Sequence, residues 1–364
     1  PRIDYTDSTE GALLLENSST NLLTYSEAFD NSYWIKGGSS VLGGFTSPKG
    51  DLSAFKLVED SSTGAHFMYR NITSTTVGND YSASIFVKKG ERDYFVLGTQ
   101  TSQDAYFNLS KGVIKSSAIS SKITDLSNGY YICSITWTAT STSESIYIYN
   151  SEDGLTRNYT GDGTSGAYIF GAQLEQGNLS SYIPTNGSSV QRAAETCNES
   201  GNSEVFNDSQ GVLFADMAAN SYGGGYKLIS LTDSTSGNSF VSIGMMNNTN
   251  QSYKQIRFGG VNLFTNFNDP IDQTSFNKIA IKYKSGDSSF YVNGFEIDSS
   301  SVTYTPSANM SEFKFSYFQD GDDFYGKTKE LGYYDTALTD LELEYMTSYR
   351  SLNEMVTELN LNAL

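Results

Sequence analysis

From residue 26 to about residue 185 the chain keeps one rhythm. Apolar and polar side chains alternate over short runs, and Gly, Asn, Asp or Ser ends each run. In DYSASIFVKKG, residues 80–90, Tyr81, Ala83, Ile85 and Val87 alternate with Ser82, Ser84 and Phe86. DYFVLGTQ follows a charged turn, DAYFNLSKGVIKSS predicts a hairpin about Lys111-Gly112, and GYYICSITWTAT, ESIYIYNSEDG and GAYIFGAQLEQG continue the pattern. A period of two at this spacing predicts an antiparallel sandwich or barrel, and no helical period of useful length interrupts it. GAQLEQGNLSSYIPT reads as the closing strand. Pro184 cannot donate a ladder hydrogen bond and so suits a strand exit or edge.

A polar, small-residue stretch, NGSSVQRAAETCNESGNSE (186–204), then reads as a connection. A second series of strand-sized runs begins at Val205. It includes GVLFADMAA, YKLISLTD, NSFVSIGMMN, NKIAIKYKSG and SSFYVNGFEID, the last with an Asn293-Gly294 hairpin signal. The pattern changes after Lys329. Thr339 and Glu342 have capping-box spacing before a helix expected over about Leu341–Tyr349, with Leu341, Tyr345 and Ser348 near one face and Leu338 and Tyr349 beside it. Ser351 and Glu354 repeat the device, and Leu352, Met355, Val356 and Leu359 follow the i, i+3, i+4, i+7 spacing of an apolar stripe. That stripe would dock on its parent domain or form an oligomer seam. The expected fold is all-β: two tandem antiparallel β-sandwich (jelly-roll) domains with a short C-terminal helix. Expected boundaries are an N-terminal arm at 1–25, a carbohydrate-binding-module-like sandwich at 26–195, a linker at 196–204, a second sandwich at 205–350 and a tail at 351–364.

Composition agrees with this reading. Of 364 residues only 18% are charged, so the polarity comes from Ser, Thr, Asn and Gly, which favour turns over helix interiors. Tyr (26) and Phe (21) are numerous enough to fill cores, which argues against a disordered chain. The formal net charge of −18 repels phosphate backbones and anionic membranes, so no nucleic-acid partner is expected. No run approaches the ~20 apolar residues of a membrane span, and no membrane insertion is expected. Pro1 is not an initiator, so we expect a fragment or a processed product whose missing N-terminus could hold a targeting signal or an anchoring domain. Cys133 reads as a buried thiol; Cys197 lies in a polar stretch, and a bridge between the two is open but not implied.

Two stretches resemble known families. Arg2-Ile3-Asp4-Tyr5, Leu14-Leu15-Glu16, Thr20-Asn21-Leu22-Leu23, Ser26 and Trp34, together with GAQLE, SYIPT and QRAAE further on, resemble the head and tail signatures of a module of tailed-phage virion proteins, found in tail fibres and adhesin-like chains. This covers residues 1–195. FNKIAIKYKSGDSSFYVNGFEID (276–298) and KELGYYDTALTDLELEYM (329–346) resemble the laminin-G/concanavalin-A-like sandwich. The resemblance implies a virion location, a tail- or head-fibre role in host attachment, other virion proteins as partners, and a homo-oligomer, a trimer by analogy. A purely structural spacer without ligand and a polysaccharide depolymerase are the alternatives. Fold alone decides none of these.

The chemistry-bearing residues point away from an enzyme. His66 is the single histidine, no GxSxG elbow accompanies it, and zinc sites with several His are excluded. Glu296-Ile297-Asp298 resembles the start of a catalytic strand in some concanavalin-like glucanases, and a period of two would place Glu296, Asp298 and Ser300 on one face. The further Glu that those enzymes carry is Ser300 here. Gln255 and Arg257 echo one fragment of a lyase site. The acidic turns with Asp153, Asp162, Asp320, Asp322 and Asp323 read either as solvated turns or as structural calcium sites, which both resembled folds often carry. For a glycan, ring faces cover the C–H side of a pyranose while Asn, Asp, Gln and Arg bond its hydroxyls. The candidates are Tyr147, Tyr149, Arg157 and Tyr159 in the first sandwich and Tyr222, Tyr226, Tyr253 and Tyr325 in the second, with a host cell-surface glycan as the expected partner. The competing reading is that these tyrosines close sandwich ends with their hydroxyls at the rim.

Overall fold

Alternation becomes sheet throughout the computed structural model, which describes residues 2–6, 9–101, 103–222, 225–233, 237–246, 249–264, 269–306, 310–318 and 321–348. Two compact units result. One is Ser18–Ala193; the chain before and after it builds the other.

In Ser18–Ala193 two six-stranded sheets form. The first runs, in spatial order, Val113–Ser117, Asp104–Asn108, Tyr94–Thr99, Glu144–Ser151, Phe67–Ile72, Ile35–Gly37. The second runs Ser120–Asp125, Tyr130–Thr138, Asp80–Lys88, Gly166–Gln176, Ala54–Glu59, Ser39–Phe45. Every pairing within them is antiparallel. The chain passes between the sheets at both edges, once at Gly38 and once at Ala118-Ile119. Gly38 has φ +59, and a side chain there would strike the Ala65 carbonyl. The inward residues are those the alternation selects. Tyr81, Ala83, Ile85, Val87 and Cys133 from one sheet meet Met68, Phe95, Leu97, Phe107, Ile146 and Ile148 from the other in one buried cluster. Gly166–Gln176 is the last long strand but lies inside its sheet, between Asp80–Lys88 and Ala54–Glu59. Pro184 lies beyond it, and Val190–Arg192 pairs with Ser19–Asn21.

The other unit has a seven-stranded sheet, Arg2–Asp4, Ala12–Leu15, Gly326–Tyr334, Gln210–Ala219, Asn277–Lys284, Ser288–Val292, Phe295–Ser300, and a five-stranded sheet, Val261–Asn262, Ser252–Phe258, Phe240–Met245, Lys227–Thr232, Glu312–Lys314. Two expected boundaries need correction. Residues 1–25 are not a separate arm: Ala12–Leu15 pairs with Gly326–Tyr334 through Leu13↔Thr328, and the division falls between Asn17 and Ser18. Nor is 196–204 a free linker, because Ser200 and Phe313 exchange backbone hydrogen bonds of 3.2 and 2.7 Å and Phe315 N donates to Cys197 O at 2.9 Å. Small polar residues concealed an added edge, held mainly by backbone groups, with Glu312 Oε1 accepting from Glu199 N at 3.3 Å and Cys197 packed against the core.

The Asn293-Gly294 hairpin forms, with φ of 51° and 88° as a type I′ turn requires. The helix is Asp340–Thr347, capped by Thr339, whose N–H donates to Glu342 Oε2 at 2.8 Å while its hydroxyl accepts from Glu342 N at 3.3 Å. Its face is not the expected one. Leu343 and Thr347 are buried, with Leu338 and Met346 packed beside Leu343, whereas Leu341 and Tyr345 are 75% and 84% exposed. Tyr349 and the tail at 351–364 lie outside the described residues, and among those described no helix is long and apolar enough to cross a membrane.

Candidate functional site

The outer face of the first sheet in Ser18–Ala193 carries the most concentrated set of exposed rings and planar polar groups. Ile146 and Ile148 take the inside of Glu144–Ser151, so Ser145, Tyr147 and Tyr149 point out. Register then sets their neighbours. Tyr69↔Tyr147↔Gly98↔Asp104 forms one row across four strands, and Phe67↔Tyr149↔Val96↔Tyr106 forms the next. Cross-strand partners stand ~4.5–5.5 Å apart, close enough for ring contact.

Tyr69 and Tyr147 stack with centroids 4.8 Å apart and planes 12° apart; Tyr147 and Tyr149 stack at 5.6 Å and 13°. Phe67 joins this file 5.4 Å from Tyr149 and 6.0 Å from Tyr69. Centroids this far apart exceed the ~3.5–4.0 Å carbon contact distance, so the rings are offset and leave part of each face uncovered. Phe67, Tyr69 and Tyr147 are half-buried, and Tyr149 is buried beneath them. Partial burial, and then the neighbouring Tyr69, raise the Tyr147 pKa, so its hydroxyl stays protonated and able to donate.

Beside Tyr147 the row has no side chain, because position 98 is glycine. Asp104 fills that space. Its carboxylate accepts from Arg157 Nε at 2.5 Å and, through its other oxygen, from Arg157 Nη2. The guanidinium carbon lies 4.7 Å from the Tyr149 ring centroid, a cation–π contact. Burial opposes the charge on Arg157, but its bonds to Asp104 prevail and hold the pKa above the ordinary value. At the other end of the file Ser145 Oγ lies within hydrogen-bonding distance of Asn71 Oδ1 (2.6 Å) and Gln100 Oε1 (3.1 Å), and both amides are exposed. Aromatic faces, two amides and a guanidinium–carboxylate pair thus share one surface. Nothing on it is a nucleophile with a base.

Of the residues expected from sequence in this unit, Tyr147, Tyr149 and Arg157 come together. Tyr159 does not join them. It is buried, its hydroxyl donates to Glu59 Oε2 at 2.6 Å, and its ring packs on His66 at 4.6 Å. Glu59 also receives Arg92 (Nε at 3.0 Å) and the Asp162 N–H at 3.0 Å. Burial raises the Glu59 pKa, but these donors outweigh it and hold the carboxyl below the usual range. His66 is wholly buried, with Nδ1 donating to the Gly38 carbonyl at 2.6 Å, a structural role. Sequence reasoning missed Phe67, Tyr69, Asn71, Gln100, Asp104 and Tyr106.

In the other unit Tyr226 packs edge-on against Tyr253 at 5.5 Å, and the Gln255 carbonyl oxygen accepts from the hydroxyls of Tyr253 and Tyr317, the latter at 3.2 Å. Tyr253 is buried, Tyr222 is exposed, and the Tyr325 hydroxyl donates to Asp323 at 2.9 Å. Tyr226, Tyr253 and Tyr317 thus gather around Gln255, and Tyr325 makes no ring contact with them among the described residues. Glu296 and Asp298 do not share a face, contrary to the expectation. A bulge at Ile297 pairs Glu296 with Tyr291 and Asp298 with Phe290, whose side chains point to opposite sides. Asp298 instead lies 3.4 Å from Lys254, a fully buried lysine also paired with Asp269.

The turns at Asp153 and Asp162 are occupied by their own backbone. Asp153 accepts from Leu155 N and Thr156 N at 2.8 and 2.9 Å, and Asp162 from Thr164 N and Ser165 N at 2.8 and 2.7 Å. Asp322 has a positive φ of 51°, and Asp320 lies outside the described residues. Among the described residues no group of three or more His, Cys, Asp or Glu is arranged to hold an ion. Cys133 and Cys197 are free thiols, and burial raises the Cys133 pKa well above its ordinary value.

The fold and this surface define an all-β protein with jelly-roll-like sandwiches and an aromatic platform. No family model matches the sequence, and no curated protein matches it. Among solved structures it is similar to the NanB sialidase of Streptococcus pneumoniae (20% identity, 39% of this chain and 24% of that chain, TM-score 0.33). It is also similar to the CBM40 domain of the Ruminococcus gnavus IT-sialidase (17% identity, 43% and 97% covered, TM-score 0.34) and to a candidate carbohydrate-binding protein of Bacteroides ovatus (14% identity, 79% and 80% covered, TM-score 0.29). The match spans about a quarter of the pneumococcal sialidase. Identities and scores this low carry no weight for function.

Proposed function

We propose that the protein is a non-catalytic glycan-binding component of a phage virion appendage, contacting a host cell-surface glycan through the platform on Ser18–Ala193. The observation that carries the glycan reading is the offset, half-exposed file Tyr69–Tyr147 beside the Asp104–Arg157 pair. A pyranose needs an apolar face for its C–H side and planar polar groups for its hydroxyls, and this surface offers both within one row of a rigid sheet. The virion setting rests on the resemblance of residues 1–195 to tailed-phage fibre modules. Single sites of this open kind bind weakly, so attachment would come from linked copies in an oligomer, trimeric by that resemblance, seated among other virion proteins.

A glycan array with the assembled protein tests this. Wild type binds a subset of glycans, and Tyr147→Ala lowers binding about tenfold, the ~1.4 kcal/mol within reach of one stacked ring. Absence of any binding would favour a spacer without ligand. New reducing ends or unsaturated uronates released from host polysaccharide would favour a depolymerase.

A further inference from the structure

Resting on the glycan reading of the platform, we propose that Asp104 is a specificity-determining residue that restricts the site to uncharged sugars by keeping the Arg157 fork occupied. Arginine is the side chain best shaped to grip a carboxylate, because its Nε–H and one Nη–H form a planar fork matching two oxygens. A half-buried arginine beside stacked tyrosines would therefore ordinarily suit a sialic or uronic acid. Here that fork is spent within the protein. Nε donates to Asp104 Oδ2 and Nη2 to Asp104 Oδ1, while the ring of Tyr149 lies against the guanidinium.

Three observations make this arrangement fixed. Asp104 is 7% exposed, so its carboxylate cannot swing into water without leaving the pair. The Gly98 notch holds it from below, since even a methyl group at position 98 would overlap Asp104 Oδ1. Arg157 is held from the side by Tyr149. A sugar carboxylate arriving at the platform would have to displace Asp104, leaving one of two carboxylates buried and unpaired, which is costly. The neighbouring charge acts in the same direction. Asp153 lies close enough to Tyr106, in the adjacent row, to raise its pKa together with burial and Asp104. Asp104, Asp153 and Arg157 together leave the surroundings of the site with a surplus of negative charge, which repels anions. Arg157 also bonds the Tyr106 hydroxyl and Gln100 Nε2 donates to Ser143 O at 3.1 Å, which leaves the other N–H groups of Arg157, and those of the exposed Asn71 amide, to donate singly to hydroxyls.

The test uses matched ligands on the intact protein. Linear tri-galactose and tri-galacturonate, tri-glucose and tri-glucuronate, and lactose and 3′-sialyllactose are compared by array and by titration calorimetry, for wild type, Asp104→Asn and Tyr147→Ala. Wild type is expected to bind one or more neutral members at least tenfold more tightly than the acidic partner. Asp104→Asn, which preserves shape and removes the charge, is expected to raise affinity for the acidic partner roughly tenfold or more, the worth of a charge-assisted hydrogen bond. Equal or tighter binding of the acidic partner by wild type overturns the proposal and needs no variant. So does a folded Asp104→Asn protein that gains nothing for the acidic partner, whether or not it keeps the neutral one. Failure of the platform reading itself looks different: Tyr147→Ala then binds every ligand as wild type does, whichever charge is preferred.

Discussion

Replacing Gly98 with alanine disturbs the Asp104–Arg157 pair without altering either partner. Gly98 lies in the strand Tyr94–Thr99 with ordinary extended backbone, so alanine carries no conformational penalty there and the whole effect is steric. An added Cβ would overlap Asp104 Oδ1 and would stand 3.1 Å from Asp104 Cγ and 3.3 Å from Arg157 Nη2. Neither partner can yield freely, because each holds the other and Tyr149 backs the guanidinium. Overpacking of this kind costs ~1–3 kcal/mol. For a unit of this size ~1 kcal/mol moves the melting temperature by ~2–4 °C, so Gly98→Ala should melt about 2–12 °C below wild type. Gly64 is the control: it too is in a strand, nothing lies within 4 Å of the place an added methyl group would take, and Gly64→Ala should stay within ~0.5 kcal/mol. The assay pairs thermal melts with glycan titration at a temperature where both variants are folded. Gly98→Ala should lose most of its binding because the pair has moved, although Tyr147 is intact. Wild-type affinity in a variant with a lowered melting temperature would show that the pair supports the fold and takes no part in recognition.

Two further outcomes follow from the charges. Glu59 has its pKa lowered in the folded state, so it stabilises the fold above the ordinary glutamate pKa of ~4.3, and that contribution is lost as pH falls through its lower folded value. The melting temperature should therefore hold near neutrality and fall on acidification below about pH 4; Glu59→Gln should cost ~1–3 kcal/mol at pH 7 and flatten that acid limb, and an unchanged limb would remove Glu59 from the account. Because Asp153 and Asp162 already accept two backbone N–H groups each, EDTA and millimolar calcium should leave the melting temperature within ~1 °C, whereas a calcium-dependent rise would mean that an acidic turn holds an ion after all.

How far the site could be read from sequence depends on how local its causes are. Tyr147 and Tyr149 were legible because Ile146 and Ile148 claim the inside of the same strand, and period two does the rest. Phe67 and Tyr69 were not, since Met68 and Ile72 alternate with them and both faces of that strand are apolar in part; only pairing with Glu144–Ser151 shows which side is open. Asp104 and Arg157 are farther beyond reach. Their meeting depends on one strand register and one loop. The same limit explains the mistaken face at Glu296 and Asp298, where a single bulged residue reverses an otherwise sound alternation. It also explains the strand Ala12–Leu15, whose partner strand begins at Gly326.

The two sets of tyrosines show what separates a binding surface from a rim. Both have hydroxyls, planar neighbours and arginine or glutamine nearby, and by composition they are alike. Around Tyr253, however, the hydroxyls of Tyr253 and Tyr317 converge on one Gln255 oxygen and Tyr226 meets the Tyr253 ring edge-on, so those two hydroxyls are already answered inside the protein. At Tyr147 the rings lie nearly parallel, Phe67, Tyr69 and Tyr147 are only half-buried, and the amides of Asn71 and Gln100 remain exposed. A sheet face that buries its inward residues completely could equally have buried these. That it leaves planar apolar area next to polar groups, on the rigid part of the sandwich rather than on its loops, is the reason for placing recognition there.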